Sequence, residues 1–545
     1  MDSLKKIQIT DQKLINAIDE MPKNTSSGPD TWPAELVKKC KNQLCKPLKL
    51  IFERSLETGE IPDELLKAYI TPIYKKGEKS NPINYRPIFL MSLISKILER
   101  IIRKEIVQHL ENNNLINESQ HGFRKGRSCL SQLLDHYSKT LTALENGADY
   151  DVIYTDFSKA FDKCEFNIIF EKLLLHGIGG DIGRWIHNFL TNRTFNVVVN
   201  YDKSDSAKVL SSVPQGTVLA PILFIIMIND INENIESCDT SQFADDTKIA
   251  KAIKNIRDEE ILQKGIDSMY KWSDKNNMMF NFEKFNHIRY SIKNPINSVE
   301  YKINNFNIKT VSEMKDLGII MSMNMQFTTE FEKSTKKARQ KMGLILRTFR
   351  SREKNLMLTL YKTLIRPHLE YGTVLTSPHI AKEIQLLEGI QRTLTSKITS
   401  IKHLNYWERL ENLKLYSLER RRDRYAIIYI WKILENMVPN LTNDSIESYI
   451  HQRKGRLCRI PSVVSKSTAR IKTIKRNSFT VRGPILFNTI PKKIRDLRNI
   501  KVDVFKNNLD KWLQIIPDKP TIPGYTKFRA ENSNSIQDQL QNLKT

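Results

Sequence analysis

The sequence is poor in the residues that build metal-clipped or disulfide-stapled modules. Six cysteines are scattered over 545 residues, with no Cys-x-x-Cys pair and no Cys/His cluster. That spacing excludes a zinc knuckle or finger and a disulfide framework, and it fits a reducing compartment. Long apolar runs are also missing. The longest, 218–228, is interrupted by Pro221 and is too short to span a bilayer, so it reads as a buried helix. The amino terminus, Met1-Asp-Ser-Leu-Lys-Lys6, lacks the apolar core of a signal peptide. No internal repeat and no long low-complexity segment is visible. Acidic residues are outnumbered: 61 Asp and Glu face 86 Lys and Arg, a net charge of +25. That excess points to a polyanionic partner, nucleic acid first, with an anionic membrane surface as the rival.

The length suggests roughly two to four domains. An amphipathic helix is expected over 1–22, followed by turn chemistry at Asn24-Thr-Ser-Ser-Gly-Pro-Asp30. Helices are expected over 34–58, 93–112 and 128–145, and a strand over 68–74 that leads into a basic turn, Lys75-Lys76-Gly77. Residues 150–320 mix short strands with helices, and helical periodicity dominates 331–438. The stretch 451–495 holds 13 Lys or Arg and no Asp or Glu. It is expected to contact nucleic acid through Arg453, Lys454, Arg456 and Arg459; a solubilising or membrane-attracted surface is the alternative. The tail after Pro523 is polar and expected to be loose.

Chemistry concentrates in three segments. Asp151-Val-Ile-Tyr-Thr-Asp156 has strand propensity and ends on a carboxylate. Gln242-Phe-Ala-Asp-Asp-Thr-Lys-Ile249 reads as a hairpin with Asp245 and Asp246 at its tip. Between them lies Val213-Pro-Gln-Gly216. Asp-Asp alone is an ordinary turn. If the two strands pair, Asp156 and Asp245 project from one sheet edge, where paired carboxylates can hold two Mg²⁺ ions.

These segments together resemble the catalytic palm of reverse transcriptases, most closely those of non-long-terminal-repeat (LINE-type) retrotransposons. Asp156-Phe-Ser-Lys-Ala-Phe-Asp162 matches the family's first catalytic motif, and Phe243-Ala-Asp-Asp246 its aromatic-Ala-Asp-Asp box. The resemblance implies an α+β right-hand polymerase: leader and fingers over 1–150, a palm with an antiparallel sheet over 151–322 and a helical thumb over 323–445. A basic extension over 446–530 and a loose tail over 531–545 would follow. The reverse transcriptase domain as a whole would cover about 54–322. It implies two Mg²⁺ ions, with Mn²⁺ as a substitute, held by Asp156, Asp245, Asp246 and the backbone carbonyl of Phe157. The implied partners are an RNA template, a DNA primer or target and dNTPs, in a nuclear and cytoplasmic ribonucleoprotein with no membrane.

Further residues carry over by motif. Phe161 is the aromatic ring that leaves no room for a 2′-hydroxyl, or else core. Gln215 would hydrogen-bond near nucleotide and template, and Gly216 would let a nucleotide approach the backbone. Lys75 and Arg86, in Ile73-Tyr-Lys-Lys-Gly77 and Asn84-Tyr-Arg-Pro-Ile88, would grip the triphosphate; for Lys75 a solvated turn is the alternative. Arg124 and Arg127, in Gln120-His-Gly-Phe-Arg-Lys-Gly-Arg127, would lie along template. Lys284 would protonate pyrophosphate as general acid, or be a solvated lysine. Lys315-Asp-Leu-Gly-Ile319 resembles the primer-grip hairpin.

The sequence also departs from the family. Ser211-Ser212 replaces the usual Ser-Gly before Pro-Gln-Gly, and Lys163-Cys-Glu-Phe166 replaces Thr-Val-Asp-His. LINE-type proteins carry an apurinic-type endonuclease ahead of the polymerase. Only a short leader precedes the fingers motifs here, so a truncated reading frame without that nuclease is expected. The rival readings are a catalytically inactive RNA-binding remnant and a group II intron-type maturase or telomerase-like polymerase.

Overall fold

Period-two alternation in the strand Asp149–Tyr154 sets the architecture. The structure, a computed structural model, describes residues 3–200, 202–292, 299–440, 468–520 and 534–543. Tyr150, Val152 and Tyr154 enter one core and Ile153 the opposite one. A strand apolar on both faces belongs inside a covered sheet. It pairs antiparallel with Asp246–Ile253 on one side and with Asn286–Tyr290 on the other. Asp239–Phe243 extends the sheet beyond Asp246–Ile253, and the short strand Lys309–Thr310 runs parallel to Asn286–Tyr290 at the far edge. The sheet is thus antiparallel apart from one short edge, and the protein is mixed α+β.

Helices Phe166–Leu175, Gly180–Thr191, Ala220–Ile228 and Ile256–Lys275 share the first core with Ile153. Ala220–Ile228 is buried along its whole length, as a helix apolar on all sides must be. Leu93–Asn112 joins them. Its amino terminus is held by Asp30, which accepts from Ser92 Oγ at 2.8 Å and Leu93 N at 2.7 Å. A smaller sheet stands beside this layer: Lys67–Tyr74 lies antiparallel to Tyr85–Met91 and parallel to Thr194–Val199.

The opposite face of the central sheet is covered by Cys129–Glu145, by Leu418–Leu434 and by helices Ala469–Asn477, Phe479–Thr489 and Val502–Leu513. A separate helical core is built from Thr328–Thr348, Ala381–Thr395 and Tyr406–Leu413, around Phe331, Tyr361, Ile390 and Leu410. Within it Lys354–Leu360 continues through a π turn, Tyr361–Ile365, into Arg366–Glu370. Pro367 explains the wide turn. It has no N–H and would press on the carbonyl four residues back, so the helix widens to admit it. Among the described residues no helix is long and apolar enough to cross a membrane.

Four expectations are corrected. The helix expected over 1–22 is confined to Asp11–Asp19, because Thr10 caps it and Leu4 instead pairs with Ile178. The helix expected over 34–58 breaks at Cys40 into Ala34–Lys39 and Lys41–Thr58. The described part of 446–530 is no separate basic module; Phe479, Phe487, Phe505 and Leu509 are buried in the core that backs the central sheet. The tail is ordered where described: Ser535 caps the helix Ile536–Asn542, Ile536 is buried, and its N–H donates to Asp423 at 3.0 Å.

Asp151 anchors the covered strand from within. Arg289 donates to both of its oxygens, at 2.7 and 2.5 Å, and Tyr301 Oη donates at 2.7 Å. Burial alone would raise its pKa, but hydrogen bonds from Arg289 and His287 outweigh it and hold the carboxyl below its ordinary range. A carboxylate depressed in the folded state stabilises above its unfolded pKa of about 4 and loses that contribution as pH falls through the folded value. Asp151→Ala takes from the buried Arg289 guanidinium the carboxylate it grips with two hydrogen bonds. It should cost stability toward the lower end of about 3–5 kcal/mol, read from the urea midpoint at neutral pH. The gap between mutant and wild type should narrow below about pH 4.

Candidate active site

The central strand ends at Tyr154, and Asp156 stands just beyond it. Phe243 pairs with Asp246 across the two-residue turn Ala244-Asp245. Because Asp149–Tyr154 and Asp246–Ile253 are antiparallel neighbours, with Tyr154 opposite Lys248, Asp156 and the hairpin tip emerge at the same end of the sheet. Asp156 and Asp245 line one cavity of about 660 Å³. Asp156 and Asp246 line a second, of about 440 Å³, with Lys248, Asp316 and Leu317. Asp156 therefore faces both.

Mutual repulsion marks the cluster. Burial and the charge on Asp156 raise the pKa of Asp245, against the lowering pull of Arg86 and Lys75. Burial and the charges on Asp245, Asp316 and Asp156 push Asp246 up to about 6, although part of its side chain reaches solvent. Among the described residues no three His, Cys, Asp or Glu side chains converge into a ready-made metal cage. What the site offers is repelling carboxylates at the edge of open cavities, a donor set that suits a cation keeping several positions for water or substrate oxygens.

The neighbouring backbone is arranged to match. Phe157 pairs with Phe280 in an antiparallel bridge whose two hydrogen bonds run from Asn281 N to Asp156 O and from Ser158 N to Met279 O, both 2.8 Å. That pattern leaves the Phe157 carbonyl outside the bridge's own bonds. The Phe157 ring is buried, stacked on Phe280 at 4.4 Å.

Phe161 lines the larger cavity and stacks on Phe224 at 4.2 Å, so it is both wall and half-buried packing. Gln215 donates to Asp162 Oδ1 at 3.1 Å, and its carbonyl accepts from Phe89 N at 2.8 Å. Gly216 has φ +110°, and a Cβ there would meet the Phe89 carbonyl at 2.6 Å. The Tyr85–Met91 strand therefore approaches Gly216 closely, and Gly216 also lines the larger cavity. Lys75, Arg86 and Lys284 line the same cavity, and Lys284 Nζ pairs with Asp156 at 2.5 Å.

Two expected nucleic-acid contacts have other work. The Arg124 side chain is only 9% exposed and grips Glu111 through Nε and Nη2 at 3.0 and 2.8 Å. Arg127 is paired with Glu118. Arg124 thus ties its loop to the helix Leu93–Asn112, and Arg127 ties it to Glu118. Arg453, Lys454, Arg456 and Arg459 lie outside the described residues. Of the basic residues that follow, Lys475 pairs with Glu145 and Arg482 with Asp423.

Sequence reading missed Asp162 and the buried pair Lys248–Asp316. Asp162 was visible in its motif. Nothing local to Lys248 announces a partner 68 residues away. Asp316 belongs to the hairpin Glu313–Asp316/Ile319–Ser322, whose turn residues Leu317 and Gly318 have φ of 42° and 96°. Positive φ at both positions is the two-residue turn that suits strand twist. Tyr371 Oη donates to the Leu317 carbonyl at 2.6 Å, tying the turn to the helical unit.

Residues 73–321 match the family of reverse transcriptases (RNA-dependent DNA polymerases). The chain is similar there to the reverse transcriptases of non-LTR retrotransposons. The chain is 25% identical over 378 residues to the RNA-directed DNA polymerase from mobile element jockey of Drosophila melanogaster, covering 67% of this chain and 41% of that protein. It is 25% identical over 388 residues to the probable RNA-directed DNA polymerase from transposon X-element of the same species, covering 69% and 42%. It is 28% identical over 183 residues to the Pol polyprotein from type-1 retrotransposable element R2 of Popillia japonica, covering 33% and 25%. The match thus spans about two-fifths of the length of the first two relatives. A telomerase from Candida tropicalis, solved with a fragment of telomeric RNA, gives a TM-score of 0.39 at 13% identity over 74% of this chain and 62% of that one, too low to bear on function.

Ser212 shows what one departure from the family costs. It replaces the usual glycine, yet its φ is +105°. Its N–H donates to the Cys164 carbonyl at 3.1 Å, and Val213 N to the Phe161 carbonyl at 2.9 Å, so the backbone has no freedom to relax. A non-glycine held there costs about 1–3 kcal/mol, and a glycine returns about 0.4–1 kcal/mol through unfolded-state entropy. Ser212→Gly should therefore stabilise the protein by about 1 kcal/mol, seen as a higher urea midpoint. An unchanged or lower midpoint would show that the serine is not strained.

Proposed function

We propose that this chain is an RNA-directed DNA polymerase that extends a DNA primer on an RNA template by nucleotidyl transfer. The observation that carries the reading is the placement of Asp156 and Asp245 at one end of the central sheet, on a cavity also lined by Lys75, Arg86, Phe161 and Gln215. In this reading the central sheet is the palm, the smaller sheet with Leu93–Asn112 the fingers, and the helical unit around Tyr361 the thumb.

Asp156, Asp245, Asp246 and the Phe157 carbonyl would hold two Mg²⁺ ions, or Mn²⁺ in their place, which when bound supply charge neutralisation at the triphosphate and acidify the attacking 3′-hydroxyl. The protein's own groups do the rest. Lys75 and Arg86 grip the triphosphate, Arg86 with a rigid fork of donors. The Phe161 ring, braced by Phe224, forms the floor beneath the sugar and closes the space of a 2′-hydroxyl. Gln215, oriented by Asp162, presents its amide beside the nucleotide. Lys284 leaves Asp156 and delivers a proton to departing pyrophosphate. The basic stretch 451–495 adds phosphate contacts to the template.

Asp156→Ala or Asp245→Ala should lower the rate of primer extension by roughly 10³-fold or more, because the site loses most of its charge stabilisation. Wild-type extension by either variant would end the assignment. Phe161→Ala should admit ribonucleotides, measured as the ratio of dNTP to NTP incorporation; an unchanged ratio would return Phe161 to a packing role.

A further inference from the structure

The Asp245 turn is held by a buried side chain that plays no part in the chemistry above. Ala244 adopts φ +56°, a left-handed conformation in which a β-carbon is disfavoured. Its N–H donates to Gln120 Oε1 at 3.0 Å. The same oxygen accepts from Gly122 N at 2.7 Å, and Gln120 Nε2 donates to Gln242 Oε1 at 3.3 Å. The backbones are paired as well. Gln242 N donates to the Ser119 carbonyl at 2.9 Å, and His121 N donates to the Gln242 carbonyl at 2.8 Å. Residues 119–121 thus add a short parallel bridge to the outer edge of the Asp239–Phe243 strand. Gly122 completes the clamp: a Cβ there would come within 2.4 Å of Ala244 N. Gln120 is 1% exposed and Gln242 fully buried.

We propose that Gln120 is a positioning residue that fixes the Ala244-Asp245 turn, and through it the direction of the Asp245 carboxylate; the inference rests on the polymerase reading. The physical reason is specific. A two-residue hairpin turn prefers glycine where φ is positive. Here the strained alanine donates its N–H to a buried oxygen that Gly122 N holds in place from the other side, so the turn is set by its neighbour rather than by its own sequence. Loss of that acceptor frees the turn to relax and swings the adjacent carboxylate.

The test uses the full chain and three variants: Gln120→Met, which keeps the volume and removes the acceptor, Ala244→Gly, and the double variant. Three quantities are measured: kcat and KM for dNTP in primer extension, Mn²⁺ affinity by electron paramagnetic resonance without nucleic acid, and the thermal midpoint. Gln120→Met should lower kcat by about tenfold or more, as misplaced catalytic groups do, with KM for dNTP little changed and Mn²⁺ bound more weakly. In the double variant the glycine takes the left-handed turn without strain, so part of kcat and of the Mn²⁺ affinity should return, a rescue that lost packing would not show. Wild-type kcat and Mn²⁺ affinity in Gln120→Met would overturn the inference. So would a loss that Ala244→Gly fails to restore, whatever the thermal midpoint does. A wild-type chain that binds Mn²⁺ but extends no primer would sink the polymerase reading and not the clamp.

Discussion

The pairing of Tyr154 with Lys248 across the central sheet is the constraint on which the remaining geometry rests. Side chains alternate along a strand, so a slip of one residue would exchange the two faces of Asp149–Tyr154 and bury Asp151 and Ile153 where Tyr150 and Val152 now sit. It would also draw Asp156 away from the hairpin tip. The register is held by two dissimilar cores, one on each face, and by the Asp151–Arg289 bond to the next strand. Asp156 is therefore positioned by packing that lies well behind it.

Charge is used in two ways on this sheet. At the covered end Asp151 is neutralised by Arg289 and Tyr301 and serves only to hold strands together. At the open end Asp156, Asp245 and Asp246 repel one another, with Lys284 and the Lys248–Asp316 pair close by. Gathering like charges at one sheet end is costly, and proteins retain such arrangements where function demands them. The contrast between a satisfied carboxylate and a frustrated set on the same strands separates scaffold from chemistry more clearly than either does alone.

Much of the site was legible in the sequence because its residues sit in short local motifs. Asp156 at a strand end and Asp245-Asp246 in a hairpin follow from alternation and turn chemistry. The helices Leu93–Asn112 and Cys129–Glu145 follow from periodicity and, for the second, from the Ser128 cap. What was not legible depends on distant partners. Arg124 and Arg127 look like template contacts until Glu111 and Glu118 are placed beside them. The close approach of the Phe89 carbonyl to Gly216 is likewise absent from the local motif. The basic composition of 451–495 suggests nucleic-acid contact but does not reveal that Phe479 and Phe487 are buried against the helix Leu418–Leu434. The amphipathic pattern over 1–22 was real, but Thr10 begins the helix late and hands the earlier residues to a β bridge.

The covering of the second sheet face has a consequence in time. Glu145, at the end of the helix that lies on that face, meets Lys475, 330 residues later in the chain. At ribosomal rates of about 5–20 residues per second, that interval lasts roughly 15–70 s. For most of it the face carrying Tyr150, Val152 and Tyr154 has been synthesised with the helix Cys129–Glu145 beside it, while Leu418–Leu434 and the helices after it are still to come. The nascent protein thus passes through a stage in which one face of its central sheet is apolar and incompletely covered.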